Sequence, residues 1–312
     1  MRALVIGGNG FIGSHLVEGL RAAGHGVRVL DAGRARSDVD WAGVDYRQAP
    51  YTDPDAIGAA LSDVDTVFHL ASTTVPATSN ADPIHDVSTN LIATLSLLAA
   101  MERHAVRRIV FFSSGGTVYG DPEYLPVDEL HPLRPISSYG IVKATIERYL
   151  LMHQHFGRLD PLILRPSNPY GPRQSAAGGQ GFIAAALARL REDRPLQIWG
   201  DGETVRDYIY IGDLVDLVVA AAASGDTGIV NAGSGDGHSL NAVCASMERV
   251  VGRRMSIEYL EGRRFDVRAI VLDTTRAQTR FGWRPSVDLE TGIGRTWAWM
   301  QASEQSIHRG NI

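Results

Sequence analysis

Three observations predict an α/β fold for this chain. Short β-rich runs alternate with longer helical patterns through the first half, a glycine turn joins the first run to the first helix, and the alternation fades after Arg165. That order describes a Rossmann-type, doubly wound parallel sheet followed by a smaller C-terminal lobe. Ligands of such sheets lie outside the carboxyl ends of the strands, which the lobe should cap.

The expected strands are 2–6, 27–30, 44–48, 66–70, 107–113 and 161–165. Between them, 13–23, 53–61, 86–104 and 139–155 carry apolar residues at helical spacing. Beyond Arg165, Pro166, Pro169, Gly171 and Pro172 punctuate a loop, and 175–181 is a run of small residues. Residues 228–231 read as one more strand returning to the main sheet. The expected division is therefore a dinucleotide-binding domain over 1–165, with a returning segment near 203–234, and a lobe made mainly of 166–312. The last residues, 303–312, are expected to fray.

Composition narrows the function. The 312 residues are 44% hydrophobic and 21% charged, the profile of a soluble globular protein with one large core and a lobe. A net charge of −5 offers no broad basic surface and argues against nucleic acid as a partner. The single cysteine, Cys244, cannot form an internal disulfide and reads as a small buried hydrophobe. The longest apolar stretch, 214–223, is too short for a bilayer and contains Asp216, and no signal-peptide layout is visible. A cytoplasmic location without a membrane partner follows as the expectation.

Gly8-x-Gly10-x-x-Gly13 lies between an expected strand and an expected helix, the context in which this motif binds dinucleotides. Its glycines permit a tight turn and a close approach of backbone to pyrophosphate, and Phe11, Ile12 and Gly13 place helix N–H groups at the phosphates. Asp31 ends the second strand, where a carboxylate accepts the adenosine ribose hydroxyls and repels a 2′-phosphate, favouring NAD over NADP. Arg34 and Arg36 weaken that preference without reversing it.

Tyr139 and Lys143 are four apart on an expected helix and project from one face. A neighbouring ammonium and a cationic nicotinamide both favour phenolate, so a lowered tyrosine pKa is expected and the pair can move the proton of an alcohol undergoing oxidation. In the acidic loop, Asp121, Glu123, Asp128 and Glu129 read as solvated charges. His153 and His155 are two apart on a helix and face different directions, so no metal site is expected.

Ordered matches accompany these motifs: His69-Leu70-Ala71, Asn90, Ser113-Ser114-Gly115-Gly116-Thr117-Val118-Tyr119-Gly120, Arg165-Pro166-Ser167-Asn168-Pro169-Tyr170-Gly171-Pro172 and Arg206-Asp207-Tyr208-Ile209-Tyr210. On these residues the chain resembles the extended short-chain dehydrogenase/reductases, and within them the UDP-glucose (UDP-galactose) 4-epimerase-like enzymes, from Met1 to about Trp299. The resemblance implies NAD as cofactor, bordered by Gly7, Gly10, Phe11, Ile12, Gly13, Asp31, Leu70, Ala71, Asn90, Ser113, Tyr139, Lys143 and Pro166. It implies a UDP-sugar substrate, with Asn168 at the diphosphate, Arg206, Arg263 and Asp266 at positions that hold phosphate and uridine ribose, and Gln197-Ile198-Trp199 beside the uracil. It also implies a homodimer built on the helices over 86–104 and 139–155.

The reaction implied is inversion at C4 through a transient 4-keto sugar, with Tyr139 as base. Dehydratases and decarboxylases of the group usually carry a carboxylate where this chain has Thr117, and dehydratases another at Gly116. Three departures stand out. Gly115 replaces a usual hydroxyl residue, leaving Thr117, or second Ser114, to align the sugar hydroxyl. Ile270 stands where a tyrosine often walls the hexose, which would admit an N-acetylated, glucuronic or otherwise altered sugar. Pro50 replaces an aspartate that often contacts adenine, leaving that contact to backbone near Tyr51. The alternatives are a dehydratase, decarboxylase or net dehydrogenase of the same superfamily, or a non-catalytic NAD-binding regulator, for which a base would be superfluous.

Overall fold

The computed structural model describes residues 1–176, 181–262 and 267–309, with side chains described through Ser303. In chain order the first half comprises β1 (Arg2–Ile6), α1 (Phe11–Ala22), β2 (Gly26–Asp31), β3 (Asp45–Gln48), α2 (Pro54–Ala60), β4 (Thr66–His69), α3 (Pro76–Ser79), α4 (Pro83–Asp86), a π-helical segment Val87–Ile92, α5 (Ala93–Arg103), β5 (Arg108–Phe112), α6 (Ser138–His155) and β6 (Asp160–Pro166). Then follow β7 (Asn168–Tyr170), α7 (Phe182–Arg191), β8 (Leu196–Trp199), β9 (Val205–Tyr210), α8 (Ile211–Ser224), β10 (Gly228–Ala232), β11 (Gly237–Ser239), α9 (Leu240–Val251), β12 (Ile257–Leu260), β13 (Ala269–Ile270), α10 (Thr275–Phe281) and α11 (Leu289–Arg309).

The main sheet has seven strands in the order β10-β6-β5-β4-β1-β2-β3, and every pair is parallel. Parallel strands need crossover connections, and where these are helical they cover both faces, so the central strands are apolar on both sides, whereas the edge strand β3 is polar and partly exposed. The alternation of side chains then sorts each strand between two cores. Ala3 and Val5 of β1 face the core shared with α1 and α8, whereas Leu4 and Ile6 face the core shared with α2, α5 and α6. Val110 and Phe112 divide from Ile109 and Phe111 in the same way.

The expected strand at 228–231 returns as β10 against β6. Within 203–234 the chain serves both parts: β9 joins β7, β11 and β13 in a small sheet, while α8 packs against α1 and β10 closes the main sheet. A third core, from α7, α9 and α11, supports the lobe and buries Cys244, whose thiol burial pushes up to about 11.

Two expectations change. The helix expected over 86–104 is interrupted by the π-helical segment Val87–Ile92; Asp86 and Asn90 are both buried, and the Asn90 amide donates to Asp86 at 2.9 Å. Of the residues expected to fray, 303–309 continue α11, and 310–312 lie outside the described residues. By length and composition Pro83–Arg103 could cross a membrane, but here it packs against α2 and α6, with Leu97, Leu98 and Met101 in the core.

One buried polar network fixes α6 to the sheet. Glu147 and Arg165 form a bidentate pair at 2.5 and 3.0 Å, with side chains only 1% and 2% exposed. Ser113 at the end of β5 donates to Glu147 at 2.5 Å. Arg165 also donates to the Tyr119 hydroxyl at 2.9 Å, and that hydroxyl donates to Asn231 of β10 at 2.6 Å. Glu129, expected in solvent, belongs to the same region: its carboxylate accepts the Asn231 N–H at 2.8 Å and pairs with Arg276, and its side chain is 4% exposed. The acidic loop therefore contributes a structural anchor.

Replacing Glu147 with glutamine leaves a buried guanidinium without its countercharge, which costs about 3–5 kcal/mol. Urea denaturation should show that loss; a change under about 1 kcal/mol would mean that the pair is not a structural determinant.

Candidate functional site

The glycine turn lies between the carboxyl ends of β1 and β4, where the strand order reverses. The two loops touch: Leu70 and Ala71 both donate their N–H to the Ile6 carbonyl, at 3.0 and 3.1 Å. At Gly13 a Cβ would stand 2.1 Å from the Gly7 oxygen, so only glycine lets α1 start this close to the turn. No side chain caps α1 and no acidic residue occupies its first turn, in contrast to α2, capped by Asp53, and α6, capped by Ser137. The N–H groups of Phe11, Ile12 and Gly13 are thus left for an anion, which fits the pyrophosphate of a dinucleotide. Asp31 closes the ribose end, accepting the Asn9 N–H at 3.0 Å and the Gly33 N–H at 2.8 Å.

Residues expected at the cofactor have partners inside the protein. The Ser113 hydroxyl is spent on Glu147. Asn90 accepts the Thr73 N–H at 2.9 Å and donates to Thr73, Thr74 and Asp86, so its side chain organises the loop after β4. Tyr51 turns its hydroxyl inward onto the Thr89 carbonyl at 2.5 Å. Pro166 ends β6, and its carbonyl accepts the Gly115 N–H at 2.8 Å.

Tyr139 and Lys143 project from the first two turns of α6. Lys143 is 4% exposed, donates to the Phe112 carbonyl at 2.8 Å and stands 5.5 Å from the Tyr139 ring centre. Burial brings its ammonium down to about 8, against the opposing pull of Asp86 and then Glu147. Burial, and after it Asp86, push the Tyr139 phenol up to about 12. The lowered tyrosine pKa expected from the sequence is therefore not a property of the protein by itself.

Asp86 is fully buried. It accepts the Thr74 hydroxyl at 2.6 Å, the Asn90 amide at 2.9 Å and the Ser138 hydroxyl at 2.6 Å. The start of α6 is held by the same loop, because Asn80 accepts the Ser138 N–H at 2.8 Å and Ser79 accepts the Tyr139 N–H at 3.1 Å. Sequence reasoning alone misses these residues and Glu147. Spacing could have found two of them: Asp86 precedes Asn90 by four, and Tyr139, Lys143 and Glu147 recur every four residues on one helix face.

Opposite α6, residues 114–118 form a tight turn in which the Ser114 carbonyl accepts the N–H groups of Thr117 and Val118 at 3.3 and 3.1 Å. The Thr117 carbonyl lies close to α6, where a Cβ on Gly140 would stand 2.9 Å from it. The Thr117 hydroxyl is buried and has no hydrogen-bond partner among the described residues. A side chain at Gly115 would meet the Arg165 oxygen at 2.9 Å and Leu272 at 2.6 Å, so a hydroxyl residue has no room there. Gly116 is open toward the Asn168 side-chain oxygen, 4.0 Å from its would-be Cβ.

Asn168 is held from its other end, donating to the Asp207 carbonyl at 2.9 Å. Arg206, on β9, donates to the Val205 carbonyl at 2.8 Å and lies in register with Ile270 of β13. Ile270 is buried against Val118 and Tyr119. Gln197 is exposed on β8 and donates to Glu258 at 3.0 Å. Arg263 and Asp266 lie outside the described residues. No cluster suited to a metal ion occurs among the described residues.

A sequence model of the NAD dependent epimerase/dehydratase family matches residues 3–233. The UDP-glucose 4-epimerase of Mycolicibacterium smegmatis is 37% identical, over 95% of this chain and 97% of its own length. The structure of UDP-glucose 4-epimerase from Thermotoga maritima with UDP-glucose superposes with a TM-score of 0.93 at 34% identity, covering 97% of this chain and 100% of that one. The Thermus thermophilus UDP-glucose 4-epimerase complex with NAD gives 0.90 at 33%, with the same coverages. A UDP-glucuronic acid decarboxylase of Xenopus tropicalis is also similar, 31% identical over 95% of this chain and 71% of its length.

The position of Lys143 sets a pH dependence. Its ammonium is lost as pH rises through about 8, removing positive charge beside the phenol, so kcat/KM should fall on the alkaline side from about pH 8. Asp86 favours the ammonium, so Asp86→Asn should move this fall to lower pH. A profile flat from about pH 7 to 10 would contradict the assignment.

Proposed function

The chain belongs to the NAD-dependent epimerase/dehydratase family, and from that premise we propose that it is a UDP-hexose 4-epimerase acting through a transient 4-keto sugar. NAD is its cofactor, and Phe11, Ile12, Gly13 and Asp31 are the residues suited to hold it. When bound, NAD supplies the hydride acceptor and, oxidised, a positive ring charge. Tyr139 receives the proton of the sugar 4-hydroxyl at its phenol oxygen and returns it when the opposite face is reduced. Lys143 keeps an ammonium beside that oxygen, anchored on the Phe112 carbonyl.

The observation that carries the reading is the Thr117 hydroxyl. A buried hydroxyl left unpaired costs about 1–3 kcal/mol, and a sugar hydroxyl placed between Thr117 and Tyr139 would remove that cost. Thr117 thus replaces the family hydroxyl for which Gly115 has no room. Elimination or decarboxylation needs further acid–base groups, and neither Gly116 nor Thr117 carries a carboxylate. This supports reversal of the oxidation over loss of water or carbon dioxide. Asn168 and Arg206 are the residues proposed to meet the diphosphate.

Incubation with a panel of UDP-sugars should give a product of unchanged mass with inverted C4 and no accumulated NADH; a product lighter by water or carbon dioxide would overturn the reading. In the same assay Tyr139→Phe should abolish turnover while NAD stays bound, and Thr117→Val should lower kcat by about 10²-fold. Near-normal turnover in either would remove that residue from its role.

Assembly as a homodimer belongs to the same proposal. The segment from the π-helical turn through α6 exposes Ile92, Ile141, Met152 and Phe156, an apolar face suited to a two-fold contact. Light scattering should give twice the 33.8 kDa chain mass, and Ile141→Glu should return it to the monomer; a wild-type monomer would contradict the pairing.

A further inference from the structure

The loop after β2 bears on which dinucleotide the site accepts. Asn9, at the middle of the glycine turn, staples this loop: its amide donates to the Arg34 carbonyl at 2.8 Å and its side-chain oxygen accepts the Arg36 N–H at 3.0 Å. Trp41 fixes the other side, donating its indole N–H to the Arg36 carbonyl at 2.8 Å. The backbone of Arg36 is therefore held beside the turn and beside Asp31, at the adenosine ribose end. A guanidinium held there is the group that would accept a 2′-phosphate.

That guanidinium is already occupied. Its Nε donates to Asp38 Oδ1 and its Nη2 to Asp38 Oδ2, both at 2.8 Å, a bidentate fork of the geometry a phosphate would need. The two side chains are 27% and 37% exposed, so the pair is screened by solvent only in part. The charges acting on it include Arg173, which also favours the Asp38 carboxylate. We propose that Asp38 is a cofactor-specificity residue, which withholds Arg36 from a 2′-phosphate and works with Asp31 to keep the site selective for NAD. Asp31 repels the phosphate and Asp38 removes its counterion. The inference rests on the dinucleotide reading of this site and is independent of which sugar is turned over.

The test is a competition. Wild-type protein and variants are equilibrated with equal excess NAD and NADP, desalted and denatured, and the released nucleotides are quantified by chromatography. Wild type should release almost only NAD; release of neither nucleotide would overturn the dinucleotide reading itself. Asp38→Ala should raise the NADP-to-NAD ratio by about 10-fold, the effect of one new charge-assisted, bidentate pair between Arg36 and the 2′-phosphate. Arg36→Ala with Asp38→Ala should return the ratio to the wild-type value, and Arg36→Ala alone should leave it there. A thermal melt on each variant checks folding, and Asp38→Ser serves should the alanine variant be unstable. An unchanged ratio in the folded single variant, or a raised ratio that persists in the double variant, would overturn the proposal.

Discussion

The buried pair of Glu147 and Arg165 is the contact on which the site geometry depends. It ties the middle of α6 to the end of β6, while Ser113 brings in β5 and Tyr119 carries the network to Asn231 of β10. Such a pair is a doubtful source of net stability, because removing two charges from water offsets most of their attraction. Its value is positional. Lys143 stands one turn before Glu147 and Tyr139 one turn before that, so the pair sets the register of both side chains against the strand ends.

A second set of contacts holds the other end of the helix. Ser79, Asn80 and Asp86 reach across from the loop after β4 to the first residues of α6, and Asn90 keeps that loop in shape. Asp86 thereby has two effects. It fixes Ser138, and its charge favours both the Lys143 ammonium and the neutral Tyr139 phenol. Burial first, and Asp86 after it, thus make the tyrosine a weak acid in the protein by itself, even with Lys143 nearby. Thr117 meets the same helix through its carbonyl, which lies against Gly140.

The fold is legible because parallel strands and crossover helices impose distinct periods on the sequence, and the turn at Gly7 to Gly13 imposes its glycines. Tyr139 and Lys143 are legible from their spacing and from the motifs around them. What stays hidden depends on contacts far apart in the chain. Nothing local to Glu129 distinguishes it from its acidic neighbours, yet Asn231 and Arg276 bury it. The π-helical turn at Val87–Ile92 leaves no mark in a periodic pattern, because one widened turn barely shifts the apolar positions. The tyrosine pKa departs from expectation for a related reason: the fold buries the phenol and, after that, brings up Asp86 from 53 residues upstream, neither of which the spacing to Lys143 shows.

The central claim is that oxidation at C4 is reversed on the same sugar within one active site. The most direct measurement uses UDP-glucose deuterated at C4, with the label followed by mass spectrometry and NMR as the 4-epimer forms. Retention of deuterium at C4 of the epimer, with none transferred to solvent or to released NADH, is the predicted result. Loss of the label to solvent, or its stoichiometric appearance in free NADH, would contradict the account.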